Sequence, residues 1–473
     1  MIDISDLPEI GDFMKYFEEI SAIPRGSGNS DGIAEYLCSF ARVRGLEYHR
    51  DKANNVVIKK GATLGLEDRP TVIIQGHSDM VAAKLADCDI DMEREGLRLY
   101  RDGDFLRAEG TTLGADNGIA VAYALALLDG EDIPHPALEC LFTADEEIGL
   151  IGANALDPEL ISGRIMINVD GGGEGVFTVG CAGGLRADLT LPIRRVASEG
   201  NFYSLSVTGL AGGHSGTDIH KGRINAIKLL CECLSDMGEV RLAALSGGNA
   251  DNAIPREAEA VFSSRVDADT LRAVAERLEE TYGISDGGLR IKFAAAEPCE
   301  NTPDVKSTEA VLRLISDIHT GVVAMSKDME GLVETSQNVG VARLTENEFH
   351  LTVSIRSSVE GEKPRQLGAV EAVARSIGAS VFTRGDYPGW EYTKSSPLRE
   401  IMCRVYKEQT GKDARIIALH AGLECGIFSK KLLGLDCVAI GPDSYGIHSP
   451  SERLSLPSAK RTWELIKEVL KNI

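Results

Sequence analysis

Strand-like and helix-like segments alternate along the first part of the sequence, and this order is the strongest constraint on the fold. Apolar runs such as Val72–Gln75 and Leu138–Thr143 alternate with helical patterns such as Asp31–Arg44, with Ser30 as its expected N-cap, and Gly118–Leu128. Strands separated by helices are typical of an α/β sheet whose strands are mainly parallel. The sequence therefore predicts a central, mainly parallel sheet from residue 10 to about 185.

The pattern changes between residues 185 and 386. Arg186–Ile193 and Phe202–Thr208 alternate at period two, whereas Ile224–Met237 and Ala268–Glu280 have helical periodicity. Alternating strands are typical of a sheet with one solvated face. Beyond residue 390 the first pattern returns. We therefore predict an α+β domain at 185–386 that is inserted into a first domain formed by 1–184 and 387–473.

Composition excludes several classes of partner. The 473-residue chain has a formal net charge of −22 at pH 7, which argues against nucleic acid and anionic membranes as partners. No apolar stretch approaches the ~18–20 residues that cross a bilayer. The first residues, MIDISDLPEI, lack the basic and apolar regions of a secretory signal, and the ten cysteines follow no disulfide framework. We therefore expect a cytoplasmic protein with reduced thiols.

Ligand-type side chains lie at the ends of several predicted strands. His77 and Asp79 follow Val72–Gln75, and Asp170 follows the apolar run Arg164–Val169. In open α/β sheets, sites form where the carboxyl ends of the strands meet. The candidates that the pattern brings to this edge are His77, Asp79, Asp116, Asp145, Glu146, Glu147, Asp170 and His448.

This set of side chains predicts metal-dependent hydrolysis. One histidine at each end and several carboxylates between them are the ligand mix of a two-metal hydrolytic site. A single acidic residue after a strand is usually a helix N-cap or a solvated turn, and a lone histidine is usually structural. The prediction therefore depends on the convergence of several segments, each next to a glycine-containing turn, rather than on any one residue.

The motifs around these residues resemble those of a known family. GHSDM, GADNGIA, TADEEIG, NVDGG and GIHSP resemble the co-catalytic zinc metallopeptidases of the aminoacylase and carboxypeptidase kind. HAGLECG at 420–426 and NAIPREA are more specific, and with them the chain is most similar to the aminoacylhistidine dipeptidases, also called Xaa-His or cytosolic non-specific dipeptidases. The resemblance implies a zinc-peptidase-like catalytic domain with a mainly parallel sheet, and an inserted α+β lid and dimerisation domain.

The resemblance also implies a role for each candidate. It implies two divalent metal ions per chain, expected to be zinc, with manganese and cobalt as alternatives. Asp79 would orient the first imidazole, and Glu146 would be the general base that takes a proton from the attacking water. The peptide after Asp116 is expected to be cis. The implied ligands are His77 and Asp170 on the first ion, Glu147 and His448 on the second, and Asp116 on both.

Further residues are expected to hold the substrate. In relatives the histidine matching His214 reaches a neighbouring subunit's site and stabilises the oxyanion. Asn252 and Arg356 resemble family residues that bind the C-terminal carboxylate of the peptide, a task that suits the planar guanidinium. His420 and Glu424 are expected to support the site or to accept the substrate amine, although a glycine-rich turn could need them for shape alone. Gly422 and Gly441 are interpreted as turn glycines.

These roles predict a homodimeric metallo-dipeptidase of broad, Xaa-His-type specificity. An N-acyl amino-acid deacylase or an aminotripeptidase-type exopeptidase would use the same site. A two-metal phosphoesterase is less favoured because the sequence has no clear basic cradle for phosphate. A catalytically silent scaffold is disfavoured by Glu146 and the complete ligand set, which such a protein does not need.

Overall fold

The structure, a computed structural model, describes residues 10–473. The chain forms two compact units. The first unit contains the residues up to Cys181, Trp390–Ala418 and Leu423–Ile473, and the second contains Ala182–Gly389 and Leu419–Gly422. The segment Leu419–Gly422 thus belongs to the second unit, whereas the predicted partition assigns it to the first domain. Within the described residues no helix has the length and apolar character that a bilayer span requires.

The secondary structure alternates in the first unit and is richer in long strands in the second. The helices are α1 (Phe13–Ser21), α2 (Asp31–Val43), α3 (Ala115–Asp129), α4 (Ile151–Ala155), α5 (Ala226–Asp236), α6 (Ala268–Gly283), α7 (Val305–Asp317), α8 (Glu362–Ile377), α9 (Pro397–Thr410), α10 (Glu424–Lys431) and α11 (Leu456–Asn472). The strands are β1 (Glu47–Arg50), β2 (Val56–Lys60), β3 (Val72–His77), β4 (Leu99–Asp102), β5 (Phe105–Ala108), β6 (Leu138–Thr143), β7 (Ile165–Asn168), β8 (Val176–Cys181), β9 (Gly183–Pro192), β10 (Arg195–Ala197), β11 (Asn201–Thr208), β12 (Gly213–His214), β13 (Val240–Gly247), β14 (Ala253–Ile254), β15 (Ala258–Ser264), β16 (Arg290–Ala295), β17 (Asn301–Pro303), β18 (Gly321–Met325), β19 (Val333–Leu344), β20 (Glu348–Ser357), β21 (Ser380–Tyr387), β22 (Arg415–Leu419), β23 (Asp436–Ala439), β24 (Ser444–Tyr445) and β25 (Arg453–Ser455).

The first unit is built on an eight-stranded sheet with the order β1-β2-β6-β3-β7-β23-β8-β22. Its four middle strands are parallel, because β3 pairs in parallel with β6 and β7, and β7 with β23. The strands β1, β2 and β8 pair antiparallel at the flanks. The predicted α/β fold with a central, mainly parallel sheet is confirmed.

Helix α3 brings one functional segment close to this sheet. It is apolar on nearly every side and packs against α1 and β3. A side chain at Gly76, on β3, would place its Cβ 2.2 Å from the Cβ of Ala120 and from the Oδ1 of Asn117. Only glycine therefore allows the start of α3 to lie this close to the end of β3, where His77 is located.

The second unit contains a nine-stranded sheet with the order β16-β11-β15-β13-β19-β20-β9-β21, to which β18 is added beside β19. Helices α5, α6, α7 and α8 pack on this sheet. Along β9 and β11 buried residues alternate with more exposed ones. The unit is therefore an α+β layer with its own hydrophobic core.

Three local predictions need correction. Ser30 precedes α2 but its side chain makes no capping hydrogen bond, and its Oγ accepts a hydrogen bond from Asn54 Nδ2 at 3.1 Å. Neither Gly422 nor Gly441 has a positive φ, so neither is required by a left-handed turn. Both are needed for space: a Cβ at 441 would lie 2.4 Å from the Gly171 carbonyl oxygen, and one at 422 would lie 2.7 Å from the Tyr387 ring.

Candidate active site

The parallel strands of the first unit deliver the candidate residues to one edge of the sheet. His77 is the last residue of β3 and pairs in register with Thr143, the last residue of β6. Gln75 pairs with Asn168, the last residue of β7, two positions before Asp170. The segments that follow β3, β6 and β7 therefore begin at the same level, as the sequence predicts.

The carboxylate of Asp116 lies between two imidazoles. His77 Nε2 is 3.1 Å from Asp116 Oδ1, and His448 Nε2 is 3.3 Å from Asp116 Oδ2. His448 Nε2 is also 2.8 Å from Glu147 Oε1. Each oxygen of Asp116 thus faces a different histidine, which is the arrangement that a carboxylate shared by two cations requires.

Three overlapping groups of side chains have the composition of metal sites. In each group the ligand atoms, one from each residue, all lie within 4.8 Å of one another. Nitrogen and carboxylate oxygen donors in such groups suit zinc and other divalent transition metals. The groups are His77 with Asp116 and Asp170, Asp116 with Glu147 and His448, and His77 with Glu146 and Glu147.

Asp79 holds the first imidazole and the glutamate pair in place. His77 Nδ1 lies 3.1 Å from the Asp79 carbonyl oxygen and 3.4 Å from its Oδ1. The same carboxylate accepts hydrogen bonds from the backbone N–H groups of Glu146 and Glu147 at 3.0 and 3.4 Å. Because Nδ1 is engaged in this way, Nε2 is the nitrogen that His77 turns towards Asp116.

Asp116 and Asp170 are linked through Asn117. The peptide between Asp116 and Asn117 is cis, as the resemblance implies. Asn117 Nδ2 donates to the Val169 carbonyl oxygen at 2.5 Å and lies 3.5 Å from Asp170 Oδ1. The start of α3 is thereby joined to the segment that carries Asp170.

The ionisation of the site reflects an excess of carboxylates. Burial, supported by the neighbouring carboxylates and opposed by His77, raises the pKa of Glu146 to about 8. Burial and Asp116 also raise the pKa of Asp170. Burial works against a low pKa for Asp116, but hydrogen bonds from His448 and His77 outweigh it and hold that pKa down. Without cations these carboxylates cannot all ionise, so the donor set fits bound divalent metals.

Glu424, the first residue of α10, lies in a buried polar layer of the first unit. Its Oε2 accepts hydrogen bonds from Gln75 Nε2 at 2.6 Å and Thr143 Oγ1 at 2.7 Å. Its Oε1 is buried and has no hydrogen-bond partner. Burial, opposed by His77 and by these hydrogen bonds, raises the pKa of Glu424 to about 7.

The second unit fixes His214 in one tautomer. Its Nδ1 accepts hydrogen bonds from the backbone N–H groups of Gly216 and Thr217, both at 3.1 Å. A backbone N–H can only donate, so Nδ1 carries no proton and the neutral imidazole has its hydrogen on Nε2. Burial, together with the positive charge of Arg356, lowers the pKa of His214. Nε2 is therefore available as a donor.

The other candidates of the second unit lie around His214. Asn252 accepts a backbone hydrogen bond from Ser215, and the next residue, Ala253, pairs with His214. A Cβ at Gly216 would lie 2.3 Å from the His420 carbonyl oxygen. His420 Nε2 is 2.7 Å from Ser336 Oγ, and burial with the charge of Arg356 lowers the pKa of this imidazole to about 3.

Arg356 is a buried guanidinium for which no ion pair with a carboxylate is found among the described residues. Its Nη1 donates to the Tyr387 hydroxyl at 2.9 Å, and its Nε is buried and has no partner. It pairs with Ser336 on β19 and with Gly184 on β9. The second unit thus presents a guanidinium that is free to bind an anion.

Sequence reasoning missed several residues that support these groups. Glu452 and Arg25 hold the loop before Asp116 in the first unit, and Tyr387 contacts Arg356 in the second. Glu452 lies four residues after His448, in GIHSPSE, so the motif itself contained a signal. Arg25 and Tyr387 stand far from the quoted motifs, and no local pattern marks them.

Comparison with known proteins identifies the family. The model of peptidase family M20/M25/M40 matches residues 73–472. The cytosol non-specific dipeptidase of Escherichia coli (strain K12) is 37% identical over 467 residues, which cover 97% of this chain and 96% of that protein. This chain belongs to peptidase family M20/M25/M40. The resemblance predicted from GHSDM, HAGLECG and the other motifs is confirmed.

Solved structures have the same fold as this chain. The crystal structure of aminoacylhistidine dipeptidase from Vibrio alginolyticus matches with a TM-score of 0.92 and 34% identity, and the match covers 100% of this chain and 98% of that chain. Aminopeptidase PepT from Bacillus cereus matches with a TM-score of 0.57 and 15% identity over 97% of each chain, which supports the fold alone. The predicted fold class and the class of peptidase are confirmed.

Proposed function

We propose that this M20-family peptidase is a metal-dependent dipeptidase of broad, Xaa-His-type specificity. The observation that supports it most directly is Asp116, whose two carboxylate oxygens face His77 and His448 separately. The relatives named above are dipeptidases by name and match nearly the whole chain. A cytoplasmic location is proposed from the name of the Escherichia coli relative and from the sequence.

Two divalent metal ions, zinc in the first instance and manganese or cobalt otherwise, would occupy the groups of ligand atoms in the first unit. Bound there, the ions would polarise the scissile carbonyl and make the attacking water more acidic. Asp79 keeps the first imidazole oriented through its Nδ1. The proposed ligands are His77 and Asp170 on one ion, Glu147 and His448 on the other, and Asp116 on both.

Glu146 is the proposed general base. It shares a ligand-type group with His77 and Glu147, and its backbone N–H is held by Asp79. A carboxylate in this position accepts a proton from water as the water attacks the peptide carbonyl. The same group then returns the proton to the leaving amine, so one residue serves both steps.

The second unit supplies the proposed contacts to the substrate. His214 donates its Nε2–H to the oxyanion of the tetrahedral intermediate, as its fixed tautomer allows. Arg356 and Asn252 bind the C-terminal carboxylate, since the guanidinium has no carboxylate of its own. His420 is proposed to support this part of the site as a neutral imidazole beside Arg356, because its pKa of about 3 keeps the ring uncharged.

Glu424 is the proposed acceptor for the free amine of the substrate. Its buried Oε1 has no partner, and a buried carboxylate oxygen without a partner is costly unless a cation approaches it. An ammonium group meets this need, whereas an acetylated amine does not. We also include in the proposal that the domain at 185–386 is a lid, and that a homodimer forms through it so that His214 serves the partner's site.

A substrate panel with metal analysis on the same sample tests the proposal. The panel contains unblocked dipeptides, β-alanyl-histidine, tripeptides, N-acetylated amino acids and an aryl phosphate, assayed after chelation and after zinc is restored. We expect zinc-dependent hydrolysis of the unblocked dipeptides. Preferential cleavage of acetylated amino acids would indicate a deacylase, and preference for tripeptides would indicate an aminotripeptidase. Absence of peptide hydrolysis by protein loaded with metal would reject the proposal.

The metal assignment has a separate test. Asp116→Ala should lose both ions, because the proposal places this carboxylate on each of them. Asp145→Asn is a matched control: Asp145 accepts a hydrogen bond from the Gly28 backbone N–H and belongs to none of the three ligand groups. Full metal stoichiometry in Asp116→Ala, measured by elemental analysis, would contradict the assignment.

A further inference from the structure

The loop before Asp116 is bound by a carboxylate that the hydrolytic mechanism does not use. Glu452 is 2% exposed. Its Oε2 accepts hydrogen bonds from the backbone N–H groups of Leu113 and Gly114 at 2.7 and 2.9 Å, and its Oε1 accepts from Ala115 and Asp116 at 2.9 and 3.3 Å. Both oxygens of one side chain thus satisfy four consecutive donors that end at Asp116.

The same loop is also bound by Arg25. This guanidinium is buried and donates to the carbonyl oxygen of Gly114 at 2.6 Å. Its second Nη donates to the carbonyl oxygens of Ser78 and Asp79 at 3.1 and 3.3 Å. Arg25 therefore ties the loop to the segment that immediately follows His77.

Two glycines of the GADNG motif make room for this guanidinium. A Cβ at Gly114 would lie 2.7 Å from Arg25 Nη2, and one at Gly118 would lie 2.5 Å from the same atom. Gly114 also has a φ of 65°, which favours glycine. The spacing of these glycines is thus explained by the contact with Arg25 as well as by the turn.

The two contacts join Asp116 to both histidines that face it. Glu452 is in the same loop as His448, whereas Arg25 reaches the end of β3. The loop at 113–116 cannot shift relative to either segment without breaking charge-assisted hydrogen bonds inside the protein, which are the strongest kind. The position of one carboxylate between two imidazoles is therefore held by side chains that touch neither imidazole.

We propose that Glu452 and Arg25 are positioning residues that fix Asp116 between His77 and His448, and that they set the metal affinity of the two ligand groups that share Asp116. The inference rests on the metal centre of the proposed function. Groups that orient metal ligands in this way typically change metal affinity by roughly 10–100-fold when they are removed. Neither residue contacts the substrate in this view.

Glu452→Gln tests the proposal, because an amide keeps the size but presents only one acceptor oxygen to the backbone donors. Apo-protein is titrated with Co²⁺, and binding is followed by calorimetry and by the visible absorption of the bound ion. We expect both ions to bind more weakly, by roughly 10–100-fold, with a changed absorption spectrum. Arg25→Lys, which keeps the charge but loses the planar fork, should show a weaker effect in the same direction.

Glu139→Gln is the matched control. Glu139 is also 2% exposed and accepts hydrogen bonds from the backbone N–H groups of Ser162 and Gly163, at 3.0 and 2.9 Å. It lies at the start of β6, at the opposite end of the strand from Thr143. This variant should lose stability like Glu452→Gln but should bind both ions like the wild type.

The outcomes separate this inference from the proposed function. Binding of both ions by Glu452→Gln with wild-type affinity, or equal weakening in Glu139→Gln, would overturn the positioning role. If Glu452→Gln does not fold, the metal affinities of Arg25→Lys and Glu139→Gln test the positioning role. Wild-type affinity in Arg25→Lys, or equal weakening in Glu139→Gln, would then overturn it. A wild type that binds two ions but hydrolyses no dipeptide would reject the function and leave the positioning role standing, whereas a wild type that binds no divalent ion would reject the metal centre itself.

Discussion

The two units carry clusters of opposite character. In the first, carboxylates outnumber imidazoles, and burial raises the pKa of Glu146 to about 8. In the second, Arg356 forms no ion pair with a carboxylate of the described residues, and burial with its charge lowers the pKa of His420 to about 3. One cluster is short of positive charge and the other is short of negative charge. Each cluster therefore needs a bound ligand of opposite charge to balance its own charge.

This difference explains why the clusters need different partners. Buried charges are costly unless they are paired, so the first cluster requires cations and the second requires an anionic group. Divalent metals and the carboxylate or oxyanion of a peptide fulfil these two needs in the proposed function. The predictions below alter one cluster at a time, and the first has the largest expected effect.

Glu146→Gln should abolish most activity without loss of metal. The amide keeps the shape of the side chain but cannot accept a proton, and general base catalysis contributes about 10²–10⁴-fold. The neighbouring Glu147→Gln is the comparison, because a proposed ligand should lose metal as well as activity. Turnover and metal content are measured on the same samples. Activity of Glu146→Gln within a few-fold of the wild type would reject it as the base.

His214→Ala should lower kcat by about 10²–10³-fold, the usual value of one oxyanion donor. If His214 serves the partner's site, then mixing this variant with Glu146→Gln should restore activity, since a mixed dimer contains one intact site. Subunit exchange is verified by pull-down of a tagged chain. Exchange without recovered activity would reject service to the partner's site, leaving His214 to act within its own chain or only to pack, and a monomer by light scattering would contradict the dimer.

Arg356→Ala should abolish the preference for a free C-terminal carboxylate. A hydrogen bond to a charged group is worth about 1.5–3 kcal/mol, or roughly 10–100-fold in kcat/KM. Amidated dipeptides should be poor substrates of the wild type, and their kcat/KM should not change in Arg356→Ala. Arg384→Ala is the control, because Arg384 already pairs with Asp188 and Asp251. Equal rates for free and amidated dipeptides in the wild type would reject the carboxylate contact.

Much of the fold could be predicted because its elements carry local patterns. Strand β6 has the bounds predicted from its apolar run, and α3 begins only three residues before the predicted Gly118. Helix α7 was not predicted, although Asp304 caps it by accepting a hydrogen bond from the Ser307 backbone N–H. Its buried residues Thr308, Val311, Leu314 and Ile315 recur at helical spacing, so the sequence carried this signal, and the helix packs against α5, α8 and the second sheet.

The candidate site could be predicted where the chemistry lies in short motifs. His77, Asp116 and His448 were all found in this way, and the structure brings them together. The supporting contacts could not be found, because they join distant parts of the chain. Glu452 lies more than 330 positions from the backbone that it binds, and nothing in the sequence near Arg25 indicates its contact with Gly114.

Tyr387→Phe should have the smallest effect, and it tests how the second cluster holds its guanidinium. The hydroxyl accepts a hydrogen bond from Arg356 Nη1 at 2.9 Å, while the ring lies against Gly184 and Gly422. Phenylalanine keeps the ring and removes only the acceptor, whose net value is about 0.5–1.5 kcal/mol. Without this hydrogen bond the guanidinium of Arg356 can adopt more orientations. Binding of a substrate carboxylate then costs more conformational entropy.

We therefore expect KM for unblocked dipeptides to rise roughly two- to ten-fold, with kcat unchanged. Amidated dipeptides should respond little, because they lack the group that Arg356 binds. Steady-state kinetics on the two substrate series separate these effects. An equal rise in KM for both series would mean that Tyr387 acts through packing. A fall in kcat alone would mean that the hydroxyl takes part in the reaction itself, and the contrast between the two clusters would then need revision.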